Sequence, residues 1–166
     1  ATLPMFKPLV DILARIYDMA HDDQHRNIMA YTDEDGEQRA TSLKPPYSKS
    51  DWDDKRSSTD GIFEDIGGIL TRVRDETNEK LWSLFDGQDV LDEVDPRFSA
   101  NIRTHIDRVI KQDLFHVSEN TDPKGDRSKA PQEQDPEMLL HAVKETDEGI
   151  VVRGAKYETA AAYANQ

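Results

Sequence analysis

The chain has 166 residues, enough for one globular domain or a little more, and its 36% hydrophobic and 33% charged residues suit a folded protein with a thin core. With 34 acidic against 21 basic residues the net charge is −13, so phosphate backbones and anionic membrane surfaces are repelled at long range and neither nucleic acid nor a membrane is an expected partner. The absence of cysteine rules out disulfides, thiolate zinc sites and iron–sulfur clusters held by this chain alone, and with no signal peptide or spanning-length apolar run the expected location is cytoplasmic.

From Met5 to Met19 the apolar residues Phe6, Leu9, Val10, Leu13, Ile16 and Tyr17 recur at spacings of three and four, one face of an amphipathic helix. Asp22 to Met29 reads as a short second helix capped by Asp22 or Asp23, and residues 31–41 as a small hairpin around Asp35-Gly36. Pro45-Pro46 interrupts the pattern, and Ser48 offers a capped restart for a helix from about Ser50 to Phe63. Ile62, Phe63, Ile66, Ile69 and Leu70 continue a helical face through Gly67-Gly68, a pair that implies a close approach to the backbone. Further helices are expected from Asp75 to Phe85 and from Pro96 to Leu114, the latter turning Phe98, Ile102, Ile106, Val109 and Ile110 inward.

The character changes near residue 114. Phe115 to Asn120 reads as a strand, the run to Pro136 as a loop, and Met138 to Lys144 followed by Ile150 to Tyr157 as two more strands. The expectation is an α+β chain with a helical domain over 1–114 and the first strands of a β-domain over 115–166. Two or three strands leave open sheet edges, so either other chains finish the sheet or the polypeptide continues.

Two motifs carry the chemistry. In Thr121-Asp-Pro-Lys-Gly-Asp-Arg-Ser-Lys129 the cations Lys124, Arg127 and Lys129 surround Gly125, bringing positive charge and exposed backbone N–H groups into one turn able to hold a diphosphate. In Asp147-Glu-Gly-Ile-Val-Val-Arg-Gly-Ala-Lys156 a tight turn leads into three β-branched residues that fit a buried strand, then Gly154, where a backbone or ligand approaches closely.

With these motifs, and more weakly with Ile12 to Tyr17 and Gly68 to Asp75, the chain resembles the oxygenase components of two-component, reduced-flavin-dependent aromatic hydroxylases, the 4-hydroxyphenylacetate 3-monooxygenase and chlorophenol monooxygenase group. The resemblance implies a helical domain followed by the start of an acyl-CoA-dehydrogenase-like β-domain. It also implies that a C-terminal helical region and an N-terminal extension lie outside this sequence. The implied cofactor is FAD, reduced by a separate flavin reductase. The implied reaction is hydroxylation of a phenolic substrate by O2 through a C4a-hydroperoxyflavin, in a homo-oligomer or a complex with the remaining polypeptide. Ser118, Glu119, Asn120, Lys124, Gly125, Asp126 and Arg127 would lie against FAD, with Thr159 near the isoalloxazine. The catalytic set would be Arg72, Glu76, His116 and Ser118.

Three positions depart from the family pattern: Glu76 stands for a tyrosine, Ser118 for the histidine of hydroxyphenylacetate-type members, and Thr159 falls one residue early. His116 is two residues from Ser118, the same face if the segment is a strand. These departures leave room for a non-catalytic subunit that kept the fold. A 4-hydroxybutyryl-CoA dehydratase-like lyase has a similar loop but needs cluster cysteines. Arg72 also reads as a surface arginine paired with Asp75 or Glu76. His21 and His25 lack a third ligand at metal spacing and read as solvated, His105 and His141 as structural or exposed, and the acidic runs as solvated surface, so no metal site is expected.

Overall fold

The computed structural model describes residues 4–69, 75–116 and 121–157, with residues 75–77 described in backbone only. The chain divides into two units, one built on residues 1–116 and the other on 117–162.

In the first unit, α1 spans Lys7–Asp18, with Pro8 in the first turn, where its missing N–H breaks no helical hydrogen bond. Its Leu13 and Ile16 are buried, as is Met19 just beyond its end. The next helix, α2, is shorter than its sequence implies, covering Arg26–Met29 with His25 at its N-cap. Asp22 instead holds the preceding turn, accepting the Gln24 N–H at 2.8 Å on its side chain and the Arg26 N–H at 2.8 Å on its carbonyl. The hairpin follows as β1 (Ala30–Thr32) and β2 (Gln38–Ala40), antiparallel with Tyr31 opposite Arg39. Asp33 shapes its turn by accepting the N–H groups of Asp35 and Glu37 at 3.0 and 2.9 Å.

A 3-10 turn at Thr41–Leu43 leads to α3, Lys49–Ile66. Ser48 and Asp51 form a reciprocal capping box: the Ser48 N–H donates to Asp51 at 2.7 Å and the Asp51 N–H to the Ser48 hydroxyl at 3.3 Å. The glycine pair is not an interior feature of this helix. Gly67 and Gly68 are both left-handed, at φ 66° and 67°, and the Gly68 N–H closes the end on the Phe63 carbonyl at 3.0 Å. Among the described residues, chain neighbours aside, no atom lies within 4 Å of where a Cβ would stand on either, whereas the left-handed backbone by itself calls for glycine.

Helix α4 spans Asp75–Asp86, and a short α5, Gln88–Asp92, which the sequence pattern does not reveal, follows Gly87. Helix α6, Arg97–Gln112, ends on Asp113 in the left-handed region at φ 49°. Its Ile106 and Val109 enter a cluster with Ala40, Leu43, Leu81 and Trp82, while Phe98, expected inward, is 38% exposed in the first turn. Beneath this cluster Lys55 is buried, its ammonium donating to the Ser42 carbonyl at 2.7 Å and pairing with Glu79 at 3.3 Å.

A polar clamp ties α1 to α3. Arg15 donates to both Asp65 oxygens at 2.7 and 2.9 Å and to Asp22 at 3.1 Å. His25, only 12% exposed and therefore not a solvated histidine, is hydrogen-bonded to Asp22 at 3.0 Å. Hydrogen bonds from the Gln24 N–H, the His25 ring and Arg15 hold the Asp22 carboxyl down at about 2.

In the second unit, β3 (His141–Thr146) and β4 (Gly149–Arg153) form an antiparallel hairpin closed by Asp147-Glu148, with a register shift between Ala142 and Lys144. The expected burial of β4 is not found among the described residues: Ile150, Val151 and Val152 are 64, 48 and 50% exposed, because no described element is stacked on the two-stranded ribbon. Gly154, at φ 112°, does meet close approach, since a Cβ there would run into the Leu139 carbonyl. Among the described residues no helix is long and apolar enough to cross a membrane.

Candidate functional site

The loop from Thr121 to Ala130 is fixed at both ends. At its start, Thr121 bridges Tyr157, whose N–H donates to the Thr121 carbonyl at 2.7 Å, and Asp122 pairs with Lys156 at 2.5 Å. At its far end, Pro131–Glu133 forms a 3-10 turn in which the Glu133 carboxylate accepts the Ala130 N–H at 2.9 Å. The loop therefore presents Lys124, Asp126 and Arg127 as exposed side chains from a shaped backbone.

Within the loop, Asp126 organises its own neighbours. Its carboxylate accepts the Ser128 N–H at 3.0 Å and the Ser128 hydroxyl at 2.7 Å, which lowers its pKa, the hydroxyl contributing most. The Lys129 N–H donates to the Asp126 carbonyl at 3.1 Å. The Asp126 N–H donates to Gln134 Oε1 at 3.1 Å. The backbone donors at 128 and 129 thus have acceptors inside the loop and that at 126 has one on Gln134 just beyond it, so the expectation of exposed N–H groups is corrected for these three positions. A turn of this tightness bends its own carbonyls and carboxylate back onto its N–H groups. The cationic side chains at 124 and 127 are what it offers to an anion. Gly125, half-buried, has no room for a side chain: a Cβ would stand 2.5 Å from both Gln134 Oε1 and Met138 Cε. A cavity of about 170 Å³ beside it is lined by Asp122, Gly125, Arg127, Lys129, Gln134 and Met138, among others.

In the first unit, His116 is half-buried with its Nδ1 inside, its ring centroid 5.6 Å from that of His105. Phe115 and His116 form no regular strand, so the face-sharing expected of a strand with Ser118 has no support in the described residues. Glu76 lies in the first turn of α4, its side chain outside the described set. Arg72, Ser118, Glu119, Asn120 and Thr159 lie outside the described residues. A cleft of about 470 Å³ elsewhere in this unit is lined by Tyr47, Trp52, Trp82 and Phe85, with Glu79 and Asp86 at its polar positions. Those carboxylates have the wrong sign for a diphosphate. Among the described residues no cluster of His, Asp or Glu is arranged to hold a metal ion.

The residue that sequence reasoning missed is Gln134. No charge, spacing or glycine marks it, and only the folded loop brings its amide back to Asp126, eight residues earlier.

The family model described as 4-hydroxyphenylacetate 3-hydroxylase N terminal matches residues 1–166. Over 157 residues the chain is 31% identical to the 4-hydroxyphenylacetate 3-monooxygenase oxygenase component of Thermus thermophilus, a match covering 93% of this chain and 31% of that protein. It is 26% identical over 165 residues to the 4-hydroxybutyryl-CoA dehydratase/vinylacetyl-CoA-Δ-isomerase of Clostridium aminobutyricum, covering 92% of this chain and 31% of that protein. The crystal structure of a 4-hydroxyphenylacetate 3-monooxygenase oxygenase component complexed with FAD and 4-hydroxyphenylacetate matches with a TM-score of 0.83 at 29% identity, over 93% of this chain and 32% of that one. The fold is α+β and acyl-CoA-dehydrogenase-like. The chain spans about a third of the length of the relatives it matches.

Proposed function

Because the chain belongs to the 4-hydroxyphenylacetate 3-hydroxylase N-terminal family, we propose that it forms part of the oxygenase component of a reduced-flavin-dependent monooxygenase that hydroxylates a phenolic compound. The observation that carries this reading is the loop at 124–129. It is a pre-shaped turn presenting Lys124 and Arg127 in a chain of net charge −13, beside a glycine whose missing side chain leaves room for the Gln134 amide. Its donor set suits a diphosphate: Arg127 offers a planar fork and Lys124 a point charge.

In this reading Lys124 and Arg127 hold the FAD diphosphate, and Gly125 leaves room for the Gln134 side chain packed against the loop. Asp126 shapes the turn through Ser128 rather than touching the cofactor. Ser118, Glu119 and Asn120 continue the cofactor wall, and Thr159 stands near the ring system. Reduced FAD supplies the activation of O2 when bound. Arg72 stabilises the substrate as phenolate, which raises the nucleophilicity of the ring, and Glu76, His116 or Ser118 takes or shares the phenolic proton. The setting is cytoplasmic and oligomeric, with a separate flavin reductase.

The test is anaerobic titration of the whole oxygenase with reduced FAD, followed by oxygen and a panel of phenols with product analysis. Charge-assisted hydrogen bonds contribute about 1.5–3 kcal/mol each, so Lys124→Ala and Arg127→Ala should each weaken reduced FAD by roughly 10- to 100-fold. Failure of the unmodified protein to bind reduced flavin, or indifference of its affinity to both substitutions, would falsify the reading. Turnover of 4-hydroxybutyryl-CoA in place of phenols would favour the lyase.

A further inference from the structure

We propose that Gln134 is a positioning residue for the cofactor loop, a side-chain amide that bonds Asp126 as a strand partner would and holds Lys124 to Arg127 in their binding shape. This rests on the reading that the loop contacts the FAD diphosphate.

The geometry is specific. Gln134 Oε1 accepts the Asp126 N–H at 3.1 Å, while Nε2 donates to the Asp126 carbonyl at 2.6 Å and to the Lys129 carbonyl at 3.2 Å. One side chain thereby engages both the donor and the acceptor of Asp126, as a neighbouring strand would, and spans the turn to Lys129. Only one orientation of the amide satisfies all three bonds, because the reverse would set Oε1 against two carbonyl oxygens. Gln134 is itself presented rigidly. Its N–H donates to the Pro131 carbonyl at 3.3 Å, the last bond of a 3-10 turn that starts on a proline and is closed by Glu133 on Ala130.

Gly125 completes the device. Its φ is not in the left-handed region, so conformation does not require glycine there. What requires it is the Gln134 amide, whose Oε1 stands 2.5 Å from the site of a Cβ and is anchored by hydrogen bonds rather than able to swing aside. A side chain at 125 would displace the clamp and let Asp126 and its neighbours relax. The loop's cations would then lose the shape that makes two flexible side chains cheap to order on an anion.

The experiment uses the whole oxygenase carrying Gln134→Ala, Gln134→Met or Gly125→Ala. It measures amide hydrogen exchange across 124–130 without flavin, and the dissociation constant for reduced FAD under anaerobic conditions. All three variants should speed exchange at Asp126, Ser128 and Lys129 and weaken FAD about tenfold. Gln134→Met conserves length and packing but has no amide, so it separates hydrogen bonding from space filling. In Gln134→Ala, the added loss from Arg127→Ala should shrink, since both act through one loop. Wild-type exchange or wild-type FAD affinity in Gln134→Met overturns the proposal. If Arg127→Ala weakens FAD while the Gln134 variants do not, the positioning role fails and the loop reading stands. If neither weakens it, both fail.

Discussion

Replacing Leu43 by alanine tests whether the small cluster between the 3-10 turn, α4 and α6 holds the first unit together. Leu43 is fully buried among Ala40, Leu81, Trp82, Ile106 and Val109. The substitution removes three carbons, a transfer loss of about 2.4 kcal/mol at about 0.8 kcal/mol each. A cavity penalty adds to this wherever the surroundings cannot collapse. Here collapse is resisted, because the Ser42 carbonyl next to Leu43 accepts from Lys55 at 2.7 Å and from Asn78 at 3.4 Å, tethering the turn to α3 and α4. The expected loss is therefore about 3–4 kcal/mol, within the general range of about 2–5 for leucine to alanine. That is a large share of the roughly 5–15 kcal/mol that stabilises a typical domain. Urea unfolding followed by tryptophan fluorescence reads it directly, since Trp82 lies in the same cluster. Leu43→Met, which nearly conserves volume, should cost less than about 1.5 kcal/mol. A Leu43→Ala loss under about 1.5 kcal/mol with an unchanged m-value would mean that the turn is not tethered as described.

Acid stability should register Asp22. Its carboxyl titrates at about 2 in the fold against an ordinary 3.8, so it contributes stability that is fully present above about 3.8 and lost as the pH falls through about 2. Asp22→Asn should flatten the fall of Tm across that window relative to the unmodified protein, and parallel curves would contradict the role assigned to the Arg15 clamp. Gly154→Ala places a β-carbon against the Leu139 carbonyl at a φ of 112°, a strain of about 1–3 kcal/mol. Amide exchange at Ala155 and Tyr157, whose N–H groups bond to Met138 and Thr121, should accelerate, and unchanged protection would rule out that strain.

Much of the helical unit was legible because local signals agreed there. The apolar spacing in α1, the Ser48 restart of α3 and the inward positions Ile106 and Val109 of α6 each follow from a periodicity or a cap readable in a few residues. The misreadings occur where two local rules compete. Gly67-Gly68 was consistent with a tight crossing or a helix end, and the choice rests on the sign of φ, which no composition reveals. The β-branched run at 150–152 signalled a strand correctly, but burial depends on what is stacked against it, which belongs to other elements.

The basic loop shows the same division. Its charge, its glycine and its place before a β-hairpin were set by the sequence alone, and so was the family resemblance those residues carry. That the donors of Asp126, Ser128 and Lys129 turn inward, that Gly125 is glycine for space rather than for φ, and that Gln134 clamps the turn were decided only by tertiary structure. Hydrogen bonds between residues eight apart in a loop have no periodicity to announce them. They exist only once the chain has closed on itself.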